Sequence, residues 1–404
     1  MRSYSIYHIL LLCLLILLID ILAFYWLLSI TQHITSPKIR TTIHVLFWFF
    51  SIGLITSIII LKIRLDKIHP VRRYFLISSL YGLTISSFIP KIIFVIVISI
   101  LYFTNFMVNE KESVIIIPIL GLISGFLPFF AILYAIFKAI YRFKIHHTKV
   151  KCSLLPDNLA GLRIVQISDI HLGSFNFRYP ILERAVSLIN NIKPDFIFFT
   201  GDLVNNYAWE TKGWGRVLKV LDAKFGKYAV LGNHDYGDYS DWESEDLKQK
   251  NFESIKYFFK KIDFRLLLNE SEIFSIHNEL IGIIGVENWG NPPFKKYGDL
   301  KKALQDVEEI PFKILLSHDP THWTEEVIDK TDIAFTFSGH THGMQAGVNF
   351  KSKKWSPIKF KYKHWAGLHK HNKQYLYVNR GLGWLGFPGR LGMRPEITFL
   401  ELVK

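Results

Sequence analysis

With 404 residues, half of them hydrophobic and 33 of them Phe, the chain has room for two or three domains and ample apolar material for a core. The composition excludes disorder, collagen and a disulfide scaffold. Its two cysteines, Cys13 and Cys152, provide neither a disulfide framework nor a thiolate zinc site, so any metal must be held by His, Asp, Glu or Asn.

The net charge of +14 divides into +6 before Lys138 and +8 from there on, and no recognised nucleic-acid module accompanies it, so no nucleic-acid partner is expected. Only 14 charged residues precede Lys138. Four segments in that stretch, residues 6–30, 42–61, 74–103 and 114–141, have the ~20 mainly apolar residues that a membrane-spanning helix needs. Pro90 falls inside the third, where the helix is expected to kink or to begin deeper. The apolar run of the first is too long, and lacks the small-residue cleavage site, for a removable signal peptide. Asp20 and Lys91 read as isolated bundle-facing or interfacial charges rather than an ion path.

Lys and Arg flanks set the orientation. Eleven (Arg2, Lys62, Arg64, Lys67, Arg72, Arg73, Lys138, Arg142, Lys144, Lys149 and Lys151) fall on one side, and Lys38, Arg40 and Lys111 on the other. The richer side is the cytoplasmic one, so the polar portion after Lys151 is expected in the cytoplasm of a multi-pass protein of a bacterial inner membrane. Residues 1–150 are expected to form the membrane domain, closed by a basic juxtamembrane linker that includes His146 and His147, and residues 151–404 a second domain.

In that second domain, short apolar runs alternate with amphipathic stretches. Residues 163–168, 196–200, 228–231, 313–317 and 334–338 read as buried strands; 180–191, 212–223, 241–260 and 299–308 read as helices. Residues 273–276 and 280–286 read as a hairpin turning at 277–279, and 375–379 and 396–403 as late strands. The pattern is an α/β domain with a mixed sheet or two sheets.

The carboxyl ends of five of these strands carry Asp169 and His171; Gly201 and Asp202; Gly232, Asn233, His234 and Asp235; His318; and Gly339, His340 and His342. Open α/β sheets place ligands at such ends. Carboxylates and imidazoles converging on one edge would repel or stay unsatisfied without a cation, which points to two metal ions sharing a carboxylate.

In order and spacing these five blocks resemble the calcineurin-like metallophosphoesterases, over residues 161–403, and within that family the membrane-anchored YkuE- and YaeI-like branch. The tail from Asn379 to Gly383 and from Arg394 to Thr398 is similar to that branch too. The resemblance implies an α/β fold of two β-sheets flanked by helices. It also implies one divalent metal on Asp169, His171, Asp202 and His342, and a second on Asp202, Asn233, His318 and His340. Hard oxygens mixed with imidazoles suit Mn²⁺, Fe or Zn²⁺ alike. A metal pair activates water for in-line attack on phosphorus, with His234 as proton donor to the leaving oxygen and Asp235 fixing its ring.

Residues 347–375 are rich in Lys and aromatic side chains, among them Lys351, Lys354, Trp355 and Trp365. They read either as a solvated loop or as a site for anionic headgroups or a lipid phosphate. Arg394, Lys351, Lys354, Trp355 and Trp365 are the expected substrate contacts. The expected function is hydrolysis of a phosphodiester or pyrophosphate at a membrane. The resemblance suggests a lipid-linked, anionic substrate such as a UDP-diacylglucosamine-type lipid A precursor; the alternative is a membrane sensor or scaffold with a degenerate phosphoesterase domain. The oligomeric state has no signature in the sequence.

Overall fold

A computed structural model of the chain describes residues 5–108, 113–350 and 353–404. Arg2, Lys111 and Lys351, together with part of the loop expected between the third and fourth spans, lie outside the described residues. The chain forms two compact units, Arg2–Phe137 with Gly386–Gly389, and Lys138–Leu385 with Arg390–Lys404.

The first unit contains four helices long and apolar enough to cross a membrane: α1 (Ile6–Thr31), α2 (Pro37–Arg64), α3 (Pro70–Val108) and α4 (Ser113–Phe137). Helices suit such segments because every interior backbone polar group is satisfied within the segment. Pro37 opens α2, where its missing N–H costs nothing. Helix α3 runs through Pro90 without interruption. Asp20 and Lys91, expected as isolated charges, instead meet across α1 and α3: Nζ of Lys91 is 2.6 Å from Asp20 Oδ1 and 3.2 Å from the hydroxyl of Ser51 on α2. The two lie 71 positions apart, and periodicity within each helix does not disclose which faces meet. Trp26 adds a hydrogen bond to Ser99 and a stacked contact with Tyr102, again between α1 and α3.

In chain order, the strands of the second unit are β1 (Lys144–Lys151), β2 (Leu162–Ile167), β3 (Phe196–Thr200), β4 (Gly226–Val230), β5 (Arg265–Leu266), β6 (Glu270–Ile276) and β7 (Glu279–Gly285). They continue as β8 (Phe312–Leu316), β9 (Phe335–Ser338), β10 (Val348–Phe350), β11 (Lys353–Trp355), β12 (Gly367–His371), β13 (Gln374–Val378) and β14 (Glu396–Val403). Two six-stranded sheets result, in the orders β1-β14-β2-β3-β4-β5 and β12-β13-β9-β8-β7-β6, with β10 and β11 as a separate ribbon.

The sequence of β3, Phe-Ile-Phe-Phe-Thr, shows why the sheets stack. All five residues are buried, and their side chains alternate between faces. Phe196 and Phe198 join Ile281, Ile283, Ile314, Phe335 and Phe337 of the other sheet in the layer between the two. Ile197 and Phe199 face outward onto Leu182, Val186 and Ile189 of α5 (Tyr179–Asn190), onto α6 (Gly215–Leu218), and onto Phe258 and Phe259 of α7 (Glu245–Lys261). The far face of the second sheet is covered by Leu300 and Ala303 of α8 (Leu300–Leu304) with Trp323 and Val327. The architecture is the expected pair of sheets flanked by helices.

Three local expectations change. Lys144–Lys151, expected as juxtamembrane linker, is an edge strand parallel to β14, with the His147 ring stacked on Phe399 at 4.3 Å. Its alternating polar sequence hides the pairing. The helix expected over 212–223 shrinks to α6, and the φ of +82° at Gly213 keeps the preceding residues out of it. The hairpin turns at His277 and Asn278 alone, both with positive φ, and Glu279 already pairs with Ile276.

Candidate metal centre

Each expected ligand follows a strand that delivers it to one edge. Asp169 and His171 follow β2, Asp202 follows β3, Asn233 follows β4, His318 follows β8, and His340 and His342 follow β9. Asp169, His171, Asp202, His340 and His342 all have left-handed backbone, with φ of 49°, 51°, 60°, 71° and 50°. Such conformations are costly for residues with a Cβ and persist where the surroundings enforce them, commonly at functional sites. Gly339 shows how tight the surroundings are, since a Cβ there would lie 1.8 Å from the Ser168 hydroxyl and 2.4 Å from Asp169 Oδ2.

The donor atoms form two adjoining clusters. In one, Nε2 of His171 and Nε2 of His342 are 3.1 Å apart, His342 Nε2 is 3.3 Å from Asp169 Oδ1, and His171 Nε2 is 3.5 Å from Asp202 Oδ2. In the other, Nδ1 of His340 is 2.9 Å from Asn233 Oδ1 and 3.2 Å from His318 Nε2, which is 3.3 Å from that same Asp202 Oδ2. Cations with metal–ligand distances of ~2.1 Å separate neighbouring donors by ~3.0–3.4 Å. The donor set therefore fits two cations with Asp202 between them, and the donors of Asp169, His171, Asp202 and His342 all lie within 4.8 Å of one another.

Hydrogen bonds behind the donors aim them. Thr200 O lies 2.7 Å from Nδ1 of His318, leaving its Nε2 toward the site. The Asn233 amide donates to the Tyr239 hydroxyl at 2.9 Å, which turns Oδ1 inward. Burial holds the His171 imidazole down at about 3 and His342 well below its ordinary range, so both are neutral and able to bind a cation. Burial would lower His318 as well, but the Asp202 and Asp169 carboxylates push it up to about 10. Burial, and after it the charge of Asp202, raises Asp169 and Asp235 to about 7 despite the opposing His318.

His234 sits beside both clusters, its ring 5.1 Å from that of His171 and 4.6 Å from that of Tyr239. Its Nδ1 lies 2.7 Å from the Asn205 carbonyl, so it carries a proton and Nε2 is the nitrogen left for chemistry. Burial lowers the ring's affinity for a second proton, and the Asp202 carboxylate acts in the opposite direction. Asp235, expected as the partner of this ring, is not. Its carboxylate accepts from the amides of Asp202, Leu203, Val204 and Gly232, fixing the two turns that carry Asp202 and Asn233. Sequence adjacency suggested the pairing, but side chains of consecutive residues need not share a direction.

Four residues that sequence reasoning missed complete the surroundings. Asn205 acts through its backbone carbonyl. Glu210, 2% exposed, accepts from the amides of Gly173, Asn205, Asn206 and Tyr207, and burial raises its carboxyl to about 7 despite those four bonds. Tyr362 places its hydroxyl 2.7 Å from Nε2 of His340, and Asp319 Oδ2 lies 3.5 Å from the same nitrogen. Only Asp319 had a visible signal, as an acid directly following His318.

The expected substrate contacts divide. Lys354 and Trp355 are exposed. Trp365 is 8% exposed and packs with Tyr362, Ala366 and Met393, so it is a core residue rather than an interfacial one. Arg394 is committed to the carbonyls of Arg142 and Phe143, at 2.8 and 3.0 Å, and ties down the start of β1. Lys351 lies outside the described residues.

Comparison with known proteins identifies the family. Residues 162–344 match the family model of the calcineurin-like phosphoesterases, and residues 2–140 match that of the probable calcineurin-like phosphoesterase transmembrane domain. The chain is 32% identical to the uncharacterized metallophosphoesterase YkuE of Bacillus subtilis, over 63% of this chain and 84% of that protein. It is also 32% identical to the UDP-2,3-diacylglucosamine pyrophosphatase LpxG of Chlamydia trachomatis, over 60% of this chain and 84% of the other. A transmembrane protein with metallophosphoesterase domain from Danio rerio is 29% identical, and the match spans 57% of its length. The chain belongs to the calcineurin-like phosphoesterase family, as a multi-pass membrane member and metal-dependent phosphoric ester hydrolase.

Proposed function

We propose that the protein hydrolyses a phosphodiester or pyrophosphate bond in a lipid-linked substrate at the cytoplasmic face of a bacterial inner membrane. The observation that carries the reaction class is the shared position of Asp202 Oδ2, 3.5 Å from one imidazole nitrogen and 3.3 Å from another in adjoining donor clusters. Asp169, His171, Asp202 and His342 would hold one divalent cation, and Asp202, Asn233, His318 and His340 the other. When bound, such a pair supplies Lewis-acid activation of water and neutralises charge on the phosphoryl oxygens.

The protein's own groups do the rest. His234 presents Nε2 to the leaving oxygen. Because Nδ1 donates to Asn205, a proton delivered from Nε2 must come from the imidazolium form. Asp235 and Glu210 hold the backbone that positions Asp202 and Asn205, so the ring is fixed before substrate arrives. A lipid-linked substrate is supported by the four membrane helices and by the likeness to LpxG, whose name describes a pyrophosphatase acting on UDP-2,3-diacylglucosamine.

The test is incubation of the purified, metal-loaded protein with nucleotide-linked lipids, phospholipids and soluble diesters. Turnover of a lipid-linked pyrophosphate or diester well above that of the soluble compounds is expected. Hydrolysis of soluble diesters alone would remove the lipid assignment. Absence of any hydrolysis with both metals bound would favour the sensor or scaffold reading.

A further inference from the structure

Between Asp332 and Glu396 the chain contains no acidic residue, yet residues 347–375 alone carry eight lysines. The part of this stretch around the β10–β11 ribbon also exposes large apolar side chains to an extent not needed for folding. Phe360 is 80% exposed, Val348 57% and Trp355 46%. They are contiguous: Val348 and Trp355 are cross-strand partners, and the ammonium of Lys359 lies 5.9 Å from the Trp355 ring centre and 5.2 Å from that of Phe360. Lys361 follows, 5.3 Å from the Phe294 ring.

The underside of the same segment is not loose. Tyr362, Trp365 and Met393 are buried together, the Ser356 hydroxyl donates to Gly343 O at 2.9 Å, and the Thr341 hydroxyl donates to Trp365 O at 2.7 Å. A firmly anchored patch of exposed aromatic and aliphatic side chains interleaved with lysines has the chemistry of the headgroup layer of an anionic bilayer. There, aromatic rings settle at the boundary of tails and headgroups, and lysines meet lipid phosphates and carboxylates. The four helices keep the chain in a bilayer at all times, so such a patch meets this surface at high effective concentration.

We infer that Val348, Trp355, Lys359 and Phe360 form a docking surface that seats the catalytic unit on anionic lipid headgroups. The inference goes beyond the proposed reaction and is independent of the substrate, since docking is read without turnover.

The experiment uses the full chain in lipid nanodiscs. Cys13 and Cys152 are both buried, and replacing them with Ser gives a background in which Phe360→Cys carries an environment-sensitive dye. Tyr257→Cys, at a residue 68% exposed on α7, is the control. In discs with anionic lipid, the dye at position 360 should shift to the blue and be quenched by iodide several-fold less than the control. In purely zwitterionic discs the difference should largely vanish, as it should on adding Lys354→Ser, Lys359→Ser and Lys361→Ser. Equal iodide quenching at the two positions in anionic discs would overturn the inference. So would protection at position 360 that persists in lipid-free polymer, which would assign the patch to a protein contact, or protection only on adding an oligonucleotide, which would assign it to nucleic acid.

Discussion

The Tyr362 hydroxyl lies 2.7 Å from Nε2 of His340, while Nδ1 of the same ring faces Asn233 and His318. A ring that binds a cation through Nδ1 carries its proton on Nε2, and a buried oxygen facing that proton fixes both tautomer and orientation. Tyr362 belongs to the lysine-rich stretch whose outer side chains are exposed, so one segment contributes to the metal centre from within. Tyr362→Phe should weaken metal retention at the Asn233–His318–His340 cluster by ~10–100-fold. The other cluster should keep its metal. Metal-to-protein ratios across a chelator titration check this; a ratio indistinguishable from wild type would show that Asp319, 3.5 Å from the same nitrogen, suffices.

Asp202→Asn removes the charge shared by both clusters and replaces one donor oxygen by an amide nitrogen. Hydrolysis should fall by orders of magnitude and bound metal should fall with it. Wild-type turnover at full metal content in this variant would be incompatible with a bridging carboxylate.

His234 meets the donor clusters through its ring, 5.1 Å from that of His171, and through its backbone amide, which donates to Asp202 Oδ1 at 2.9 Å. His234→Ala should keep both metals while slowing substrates with poor leaving groups by ~10²–10⁴-fold. An activated aryl phosphate, whose leaving oxygen needs no proton, should be affected far less. An equal loss on both would argue against proton donation.

What the sequence disclosed and what it concealed follow from how each residue acts. Buried strands ending in Gly, Asp, Asn or His leave a compact local signature, so the five strand ends could be read together. Asn205 works through a carbonyl, which every residue possesses. Tyr362 reaches His340 from 22 positions away, and nothing in a run of lysines and aromatics marks the one ring that turns inward. Adjacency in sequence points Asp235 to its neighbour's ring, although four amide donors claim it.

Glu210 offers a separable test of that hidden support. Glu210→Ala leaves four amides, two of them buried and two half-buried, without their acceptor and should cost ~2–4 kcal/mol of stability, since each unsatisfied buried donor is expensive and water recovers part of the loss. Because the backbone that positions the Asn205 carbonyl would lose its anchor, turnover on poor leaving groups should drop more than turnover on an activated aryl phosphate, with metal content unchanged. Thermal unfolding and the two substrates measure the effects independently. A stability loss without the substrate split would confine Glu210 to folding.

The last prediction concerns topology. Four spans return the chain to the side from which it entered, so the segments before α1 and after α4 share one face of the membrane. Eleven Lys and Arg flank that face and three the other, a bias that predicts a cytoplasmic face. A reporter fused after Lys404 should therefore read cytoplasmic, and one inserted between α3 and α4 should read external. The Asp20–Lys91 pair links α1 to α3 within the bundle and is neutral to which face is cytoplasmic. Reversed signals at both positions would turn the whole domain outward and exclude cytoplasmic substrates. Signals on the same side would mean that α4 does not cross.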